Sequence, residues 1–414
     1  MADSAQLTRK CLKLSDTTEN LAMTDRISNL PDPLLSRILS FLPTKQAVLT
    51  SILSNRWKLL WTWVSNFDFD DRICAQQSEE IDDEEDHMSF PQFVSRVLLL
   101  CNSQPIKKFR LKCDSLNSNS FDVNTWVSTA ITRKVEQLEL SVSFKKDFEL
   151  SHSLFTCKTI VGLKLNGGKG GSIILNVNSP VHFPFLKTLH LEEITYPDQD
   201  SFRRFFSGFQ VLENLVVKEF YIMENAYADF EINLPNLLKA ELDFFKDSSG
   251  WTLLLLKAVN GTTYLSLSAL TTPIIGYKIA YFGSFPNLIH LKLGFECYDG
   301  WNLLKNFLNN SPKLEVLVID KKQCNCDGIS GYCYEWRCPQ LVPTCLSSTL
   351  LTLTVKGYQS PEYELEFIGY ILKSARVLKT ITISCTYGFE EKFSILKKLA
   401  SFPRRSRNCQ LFFC

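Results

Sequence analysis

One pattern constrains this chain more than any other: apolar-x-x-apolar-x-apolar returns eleven times between residues 106 and 383. The copies are Ile106-Phe109-Leu111, Val135-Leu138-Leu140, Ile160-Leu163-Leu165, Leu186-Leu189-Leu191, Leu212-Leu215-Val217, Leu237-Ala240-Leu242, Thr262-Leu265-Leu267, Leu288-Leu291-Leu293, Leu314-Leu317-Ile319, Leu350-Leu353-Val355 and Leu378-Ile381-Ile383. Counted between middle residues, the steps are 29, 25, 26, 26, 25, 25, 26, 26, 36 and 28 residues. So even a step over so long a stretch marks a solenoid, in which each unit buries its apolar face only by stacking on the next. The last two apolar residues of each copy lie two apart and share one face of a strand, while the first anchors the chain as it enters. The stretches between, such as Asp200 to Phe209 and Trp301 to Asn310, carry apolar spacing that suits short helices packed behind a sheet.

The expected fold is α/β: an irregular leucine-rich-repeat array of parallel strands with helices or loops behind, over residues 106–340 and continuing through 341–414. The usual repeat carries Asn or Cys three residues after its last apolar position. Here those places hold Ser143, Gly168, Ile194, Phe220, Phe245, Leu270, Glu296, Lys322, Tyr358 and Thr386. Without a side-chain Asn ladder, the turns are expected to be uneven.

Ahead of the repeats the character changes. Residues 1–24 are polar and aperiodic and read as a flexible tail. Residues 25–65 divide into three short helices. Asp32 can cap the first, with Pro33 at its first position and Leu35, Ile38, Leu39 and Leu42 as its stripe; Pro43 ends it. Thr44 can cap a second carrying Ala47, Val48, Ile52 and Leu53, and Ser54 a third carrying Trp57, Leu60 and Trp61. About forty residues lie near the floor for an independent core, yet this module holds more large apolar side chains than three short helices can cover, so it is expected to need a partner surface. Residues 66–105 read as a linker with a helix and an acidic loop, EEIDDEED at 79–86.

Composition narrows the function. Forty-five Lys and Arg against 44 Asp and Glu leave a net charge of +1, with no basic surplus for a phosphate backbone or an anionic membrane, so neither nucleic acid nor membrane is an expected partner. No apolar stretch approaches the roughly 20 residues of a membrane span, and the N-terminus has no signal-peptide core. Fourteen scattered Cys without an export signal read as reduced thiols, which fits the cytoplasm or the nucleus.

A search for chemistry finds no catalytic, cofactor or metal set. The five His form no HExxH pair, and no GxSxG occurs. The run from Gly167 to Gly171 lacks the spacing and the Ser or Thr of a phosphate loop and reads as a turn. Cys324, Cys326, Cys333 and Cys338 fall within fifteen residues, but CxC is not the usual zinc knuckle, and the segment reads as an irregular loop. Between the inward positions of successive repeats stand Glu139, Lys164, His190, Val216, Glu241, Ser266, Lys292, Val318, Thr354 and Thr382, a row of no single sign that could meet a protein.

Several segments carry a resemblance. LPDPLL from Leu30, ILSFLPT from Ile38 and LSNRW from Leu53, followed by Trp61, are similar to an F-box; Pro33 stands where such motifs often have an acid. Leu186 to Val217, together with VPTCL, ARVLKTITI and FPRRSRNCQLFF in the tail, resembles the plant F-box, leucine-rich-repeat and FBD family. The resemblance implies a non-catalytic substrate-recognition subunit of an SCF-type cullin-RING ubiquitin ligase. Its F-box would dock on a Skp-type adaptor, and through it a cullin, by way of Leu30, Pro31, Leu35, Ile38, Leu39, Leu42, Val48, Leu53, Trp57 and Trp61, and its repeats would hold a protein substrate. Two other readings stay open: an F-box receptor whose repeats enclose a small molecule, and a repeat scaffold outside any ligase.

Overall fold

The structure, a computed structural model, describes residues 26–413 apart from 28, 73–87, 102–104, 115–119, 169, 225–229, 245–250, 277–282, 296–299, 323–335, 359–361 and 386–388. The tail at 1–24, the acidic run at 79–86, and Cys324, Cys326 and Cys333 therefore lie outside the described residues.

Among the described residues fifteen strands join one sheet. They are β1 (Asn66–Asp70), β2 (Lys108–Cys113), β3 (Gln137–Val142), β4 (Phe148–Glu149), β5 (Gly162–Asn166), β6 (Ile173–Ile174), β7 (Thr188–Tyr196) and β8 (Asn214–Ile222). After these come β9 (Lys239–Asp243), β10 (Tyr264–Leu267), β11 (His290–Phe295), β12 (Val316–Lys321), β13 (Thr352–Tyr358), β14 (Thr380–Cys385) and β15 (Gln410–Phe413). Every pairing is parallel, and the main path runs from β1 to β15 in chain order, with the two-residue strands β4 and β6 set beside it. Such a sheet arises when each turn of chain lays down one strand and crosses back behind it.

The register is that of the repeat. Phe67, Phe109, Leu138, Leu163, Leu189, Leu215, Ala240, Leu265, Leu291, Leu317, Leu353, Ile381 and Leu411 stand side by side across the path. All but the last of these are buried. Helices close the other side of that core, among them Phe90–Leu100, Ser120–Thr132, Gln199–Phe206, Gly300–Asn310 and Glu362–Ser374. The helix Gln199–Phe206 shows why they form: the Asp198 carboxylate accepts the Ser201 N–H at 2.6 Å as N-cap, and Phe202, Phe205 and Phe206 are buried on one side.

Where the Asn ladder is missing, apolar side chains take its place. Ile194 and Tyr358 are buried in the core, and Phe220 stacks on Phe202 with centroids 5.5 Å apart. The unevenness is local. The register shifts between Val355 and Tyr358 of β13, where Gly357 adopts a φ of 68° and a Cβ would collide with the Lys321 carbonyl oxygen, so only glycine fits.

The stretch 66–105 is built into the array rather than strung outside it. Strand β1 pairs with β2, and Trp126 Nε1 on the helix Ser120–Thr132 donates to Ser95 Oγ on Phe90–Leu100 at 3.0 Å. At the other end Lys321 Nζ, at the close of β12, makes an ion pair with Glu364 on the helix Glu362–Ser374; both side chains are nearly fully buried. This pair ties the C-terminal repeats to the rest.

Candidate functional site

The N-terminal module consists of α1 (Asp32–Leu39), α2 (Thr44–Leu49), a short 3₁₀ turn at Thr50–Ile52 and a 3₁₀ helix at Trp57–Trp63. Its caps differ from the sequence expectation. Pro31 is the N-cap of α1, which makes Asp32 its first residue, and Pro43 is the N-cap of α2. A proline fits at a helix entrance because the N–H it lacks would have no partner there. Asp32 and Thr44 are thereby released for longer-range work. The Asp32 carboxylate accepts from Arg56 Nη2 at 2.7 Å and Nε at 3.0 Å, and the same guanidinium donates to the Leu30 carbonyl. The LPD and NRW segments thus close on each other. Buried Thr44 accepts the Asp68 N–H at 2.8 Å through its Oγ1 and covers the outer edge of β1.

The ten residues expected to meet an adaptor divide by position. Leu35, Leu39, Trp57 and Trp61 are buried; Leu30, Leu42 and Val48 are half-buried; Pro31, Ile38 and Leu53 are exposed. The buried four join Val64, Phe67 and Phe69 in one continuous core, so the module sits on the sheet as its first turn. In this conformation they shape the surface from within and do not form it.

The surface itself takes in Ile38 and Leu53 from that set of ten, together with residues that the sequence reading passed over as contacts: Leu34, Phe41, Leu49, Ile52, Leu59 and Trp63. Leu34 and Ile38 lie on the outside of α1 at i, i+4, and Phe41, just past its end, continues their row and is 78% exposed. Leu49, Ile52 and Leu53 form a second stripe, and Leu59 and Trp63 a third. Of twenty-one exposed large apolar residues among the described residues, nine lie between Ile27 and Trp63. Such a concentration on so small a module marks an interaction surface. Phe41, Leu59 and Trp63 line one groove with Pro33, Arg37 and Arg56, of about 860 Å³. Leu34, Ile38 and Phe41 are each followed by a buried or half-buried leucine, and reading Leu35, Ile38, Leu39 and Leu42 as a single stripe merged the two rows.

The open face of the sheet is ordered differently. Its charges pair across strands: Arg110 meets Asp68 at 2.7 Å and Glu139 at 3.6 Å, and Lys164 meets Glu139 at 3.4 Å. Further along, Lys239 meets Glu241 two residues on in the same strand at 2.8 Å, and Lys292 on β11 meets Asp320 on β12 at 3.5 Å. A cleft of about 270 Å³ over β9 to β12 is lined by Lys218, Lys292 and Lys322, but also by Glu241, Asp243 and Asp320, so it has no dominant sign. His190 and His290 lie on this face. Burial, and then Lys164 and Lys218, hold His190 below the usual histidine value; burial, and then Lys239, do the same for His290. Burial pushes the Cys101 and Cys345 thiols up to about 12, so both stay protonated at neutral pH. Cys338 is exposed. No helix among the described residues is long and apolar enough to cross a membrane.

Comparison with known proteins matches three family models: F-box domain over residues 27–69, Leucine Rich Repeat over 186–210, and FBD over 339–383. An FBD-associated F-box protein of Arabidopsis thaliana is 32% identical, over 94% of this chain and 97% of its own length. An F-box/FBD/LRR-repeat protein of the same plant is 31% identical over 94% of this chain and all of its own, and another is 32% identical over 94% of each.

Proposed function

Because the chain belongs to the F-box/FBD/LRR-repeat family, we propose that it is the substrate-recognition subunit of an SCF-type ubiquitin ligase, joined through its F-box to a Skp-type adaptor and a cullin. The observation that carries this reading is the density of exposed apolar side chains on residues 27–63. Phe41, Ile52, Leu53, Leu59 and Trp63 are the contact residues, with Ile38 and Pro31 beside them. Leu35, Leu39, Trp57 and Trp61 hold those residues in place, and Leu30, Leu42 and Val48 bridge the two layers.

The repeats hold a protein substrate on the open face and at the ends of the array. The chain contributes no reacting group. It keeps an acceptor lysine close to a ubiquitin-charged enzyme supplied by the complex, which turns a bimolecular encounter into an effectively intramolecular one. Co-purification of the full chain from plant extract with an adaptor and a cullin tests this. Recovery of both supports the reading, and a chain that elutes free of both at physiological salt sinks it.

A further inference from the structure

The two ends of the sheet are finished unequally. At β1 the outer edge is covered by the F-box, through the Asp68 N–H on Thr44 and Asn66 Nδ2 on the Ser40 carbonyl at 3.3 Å. At β15 no strand among the described residues lies beyond it. Gln410 donates its N–H to the Lys379 carbonyl at 2.8 Å, toward β14, so by alternation the N–H and C=O of Leu411 and Phe413 point away from the sheet. Their side chains occupy core register positions but are only half-buried, whereas Ile381 and Ile383 on β14 are fully buried. Phe412, on the open face beside Thr382, is 47% exposed. An edge of this kind is a template for another strand.

Charge says which strand. The chain is nearly neutral, yet residues 373–414 hold nine Lys and Arg against two Glu. Among the described residues, the eight of these cations whose side chains are described make no ion pair, unlike the cross-strand ladder on β1 to β5. Lys397, Lys398, Arg404, Arg405 and Arg407 are all exposed in the segment leading into β15.

We propose that the β15 edge is a docking site for an extended segment of a partner protein, apolar at alternate positions and acidic between them. Its main chain bonds to Leu411 and Phe413, its apolar residues cover the half-buried end of the core, and its carboxylates meet Arg405 and Arg407. This deepens the reading above by naming the class of segment the repeats receive. It is tested without an adaptor, so either can fail alone.

The experiment measures binding of a labelled peptide alternating valine and glutamate to the full chain at low salt. The expected result is saturable binding, weakened tenfold or more by Arg405→Glu with Arg407→Glu. Leu411→Pro removes an outward N–H while sparing the bonds to β14, and it should weaken binding at least as much in a protein whose melting temperature is unchanged. A peptide of the same composition with its valines and glutamates in two separate blocks should bind tenfold or more weakly, and this comparison decides the matter should Leu411→Pro disturb the fold. The proposal is overturned by absence of saturable binding to the wild-type chain, or by equal binding of the block peptide. Competition by a single-stranded oligonucleotide of equal charge as effective as that of the peptide would likewise reject it in favour of a general polyanion surface.

Discussion

At Arg56 one guanidinium fastens the F-box by gripping Asp32 and the Leu30 carbonyl together. The pair is exposed, so its contribution is modest: Arg56→Ala should cost about 1 kcal/mol in a denaturation curve. Leu39 and Phe41 differ more sharply, because two residues separate core from surface. Leu39→Ala empties a site that is 1% exposed and should lower stability by about 2–5 kcal/mol. Phe41→Ala should leave stability within about 0.5 kcal/mol of wild type and weaken adaptor binding about tenfold or more. Thermal melts alongside adaptor titrations separate the two effects. His190 and His290 give a pH dependence. Their folded values lie below the unfolded ones, so as pH falls through about 6.5 the unfolded chain takes up these protons first, and stability present above that pH is lost. The fall in melting temperature from about pH 7.5 to about pH 5.5 should shrink in His190→Gln with His290→Gln. A fall as large as in the wild type would show that other groups govern it.

Among the elements, the repeat strands were the most legible. Two apolar residues per copy, two apart, fixed which side chains face the core, and the steps between copies fixed the register. The strand at each end of the array escaped notice. Val64-Phe67-Phe69 follows the pattern but stands 42 residues before its neighbour Phe109, because the acidic stretch and the helix Phe90–Leu100 intervene. At β15 an Asn occupies the first apolar place. The F-box was legible as three helical segments, but its inside and outside were not, since exposed and buried leucines alternate too closely along α1 for spacing alone to separate them. The Lys321–Glu364 pair was invisible, since its partners come from different elements 43 positions apart. Both side chains are nearly fully buried, so removing Glu364 takes the carboxylate away from a buried Lys321 ammonium. Glu364→Ala should cost about 3–5 kcal/mol, while Lys321→Met with Glu364→Leu should recover most of it. Urea denaturation of the single and double variants decides: a double variant as unstable as the single would mean that the charges themselves are needed.

As a whole molecule, the protein is one parallel sheet whose first turn is the F-box core. The exposed apolar surface lies at one end, and at the other the basic edge of β15, beyond which no strand lies among the described residues. The Leu35, Leu39, Trp57 and Trp61 cluster runs without a break into Phe67 and Phe69, so a partner on the F-box is held in fixed orientation to the repeats. Rigid spacing suits a receptor that must hold one protein near another. The central claim is that the exposed face of residues 27–63 binds a Skp-type adaptor, and the most direct test is the affinity of the purified full chain for that adaptor with and without Phe41→Ala and Ile52→Ala. At about 2 kcal/mol or more for each anchor, the pair should weaken binding about a thousandfold at an unchanged melting temperature. Wild-type affinity in the folded double variant would contradict the account, as would a wild-type chain that does not bind the adaptor at all.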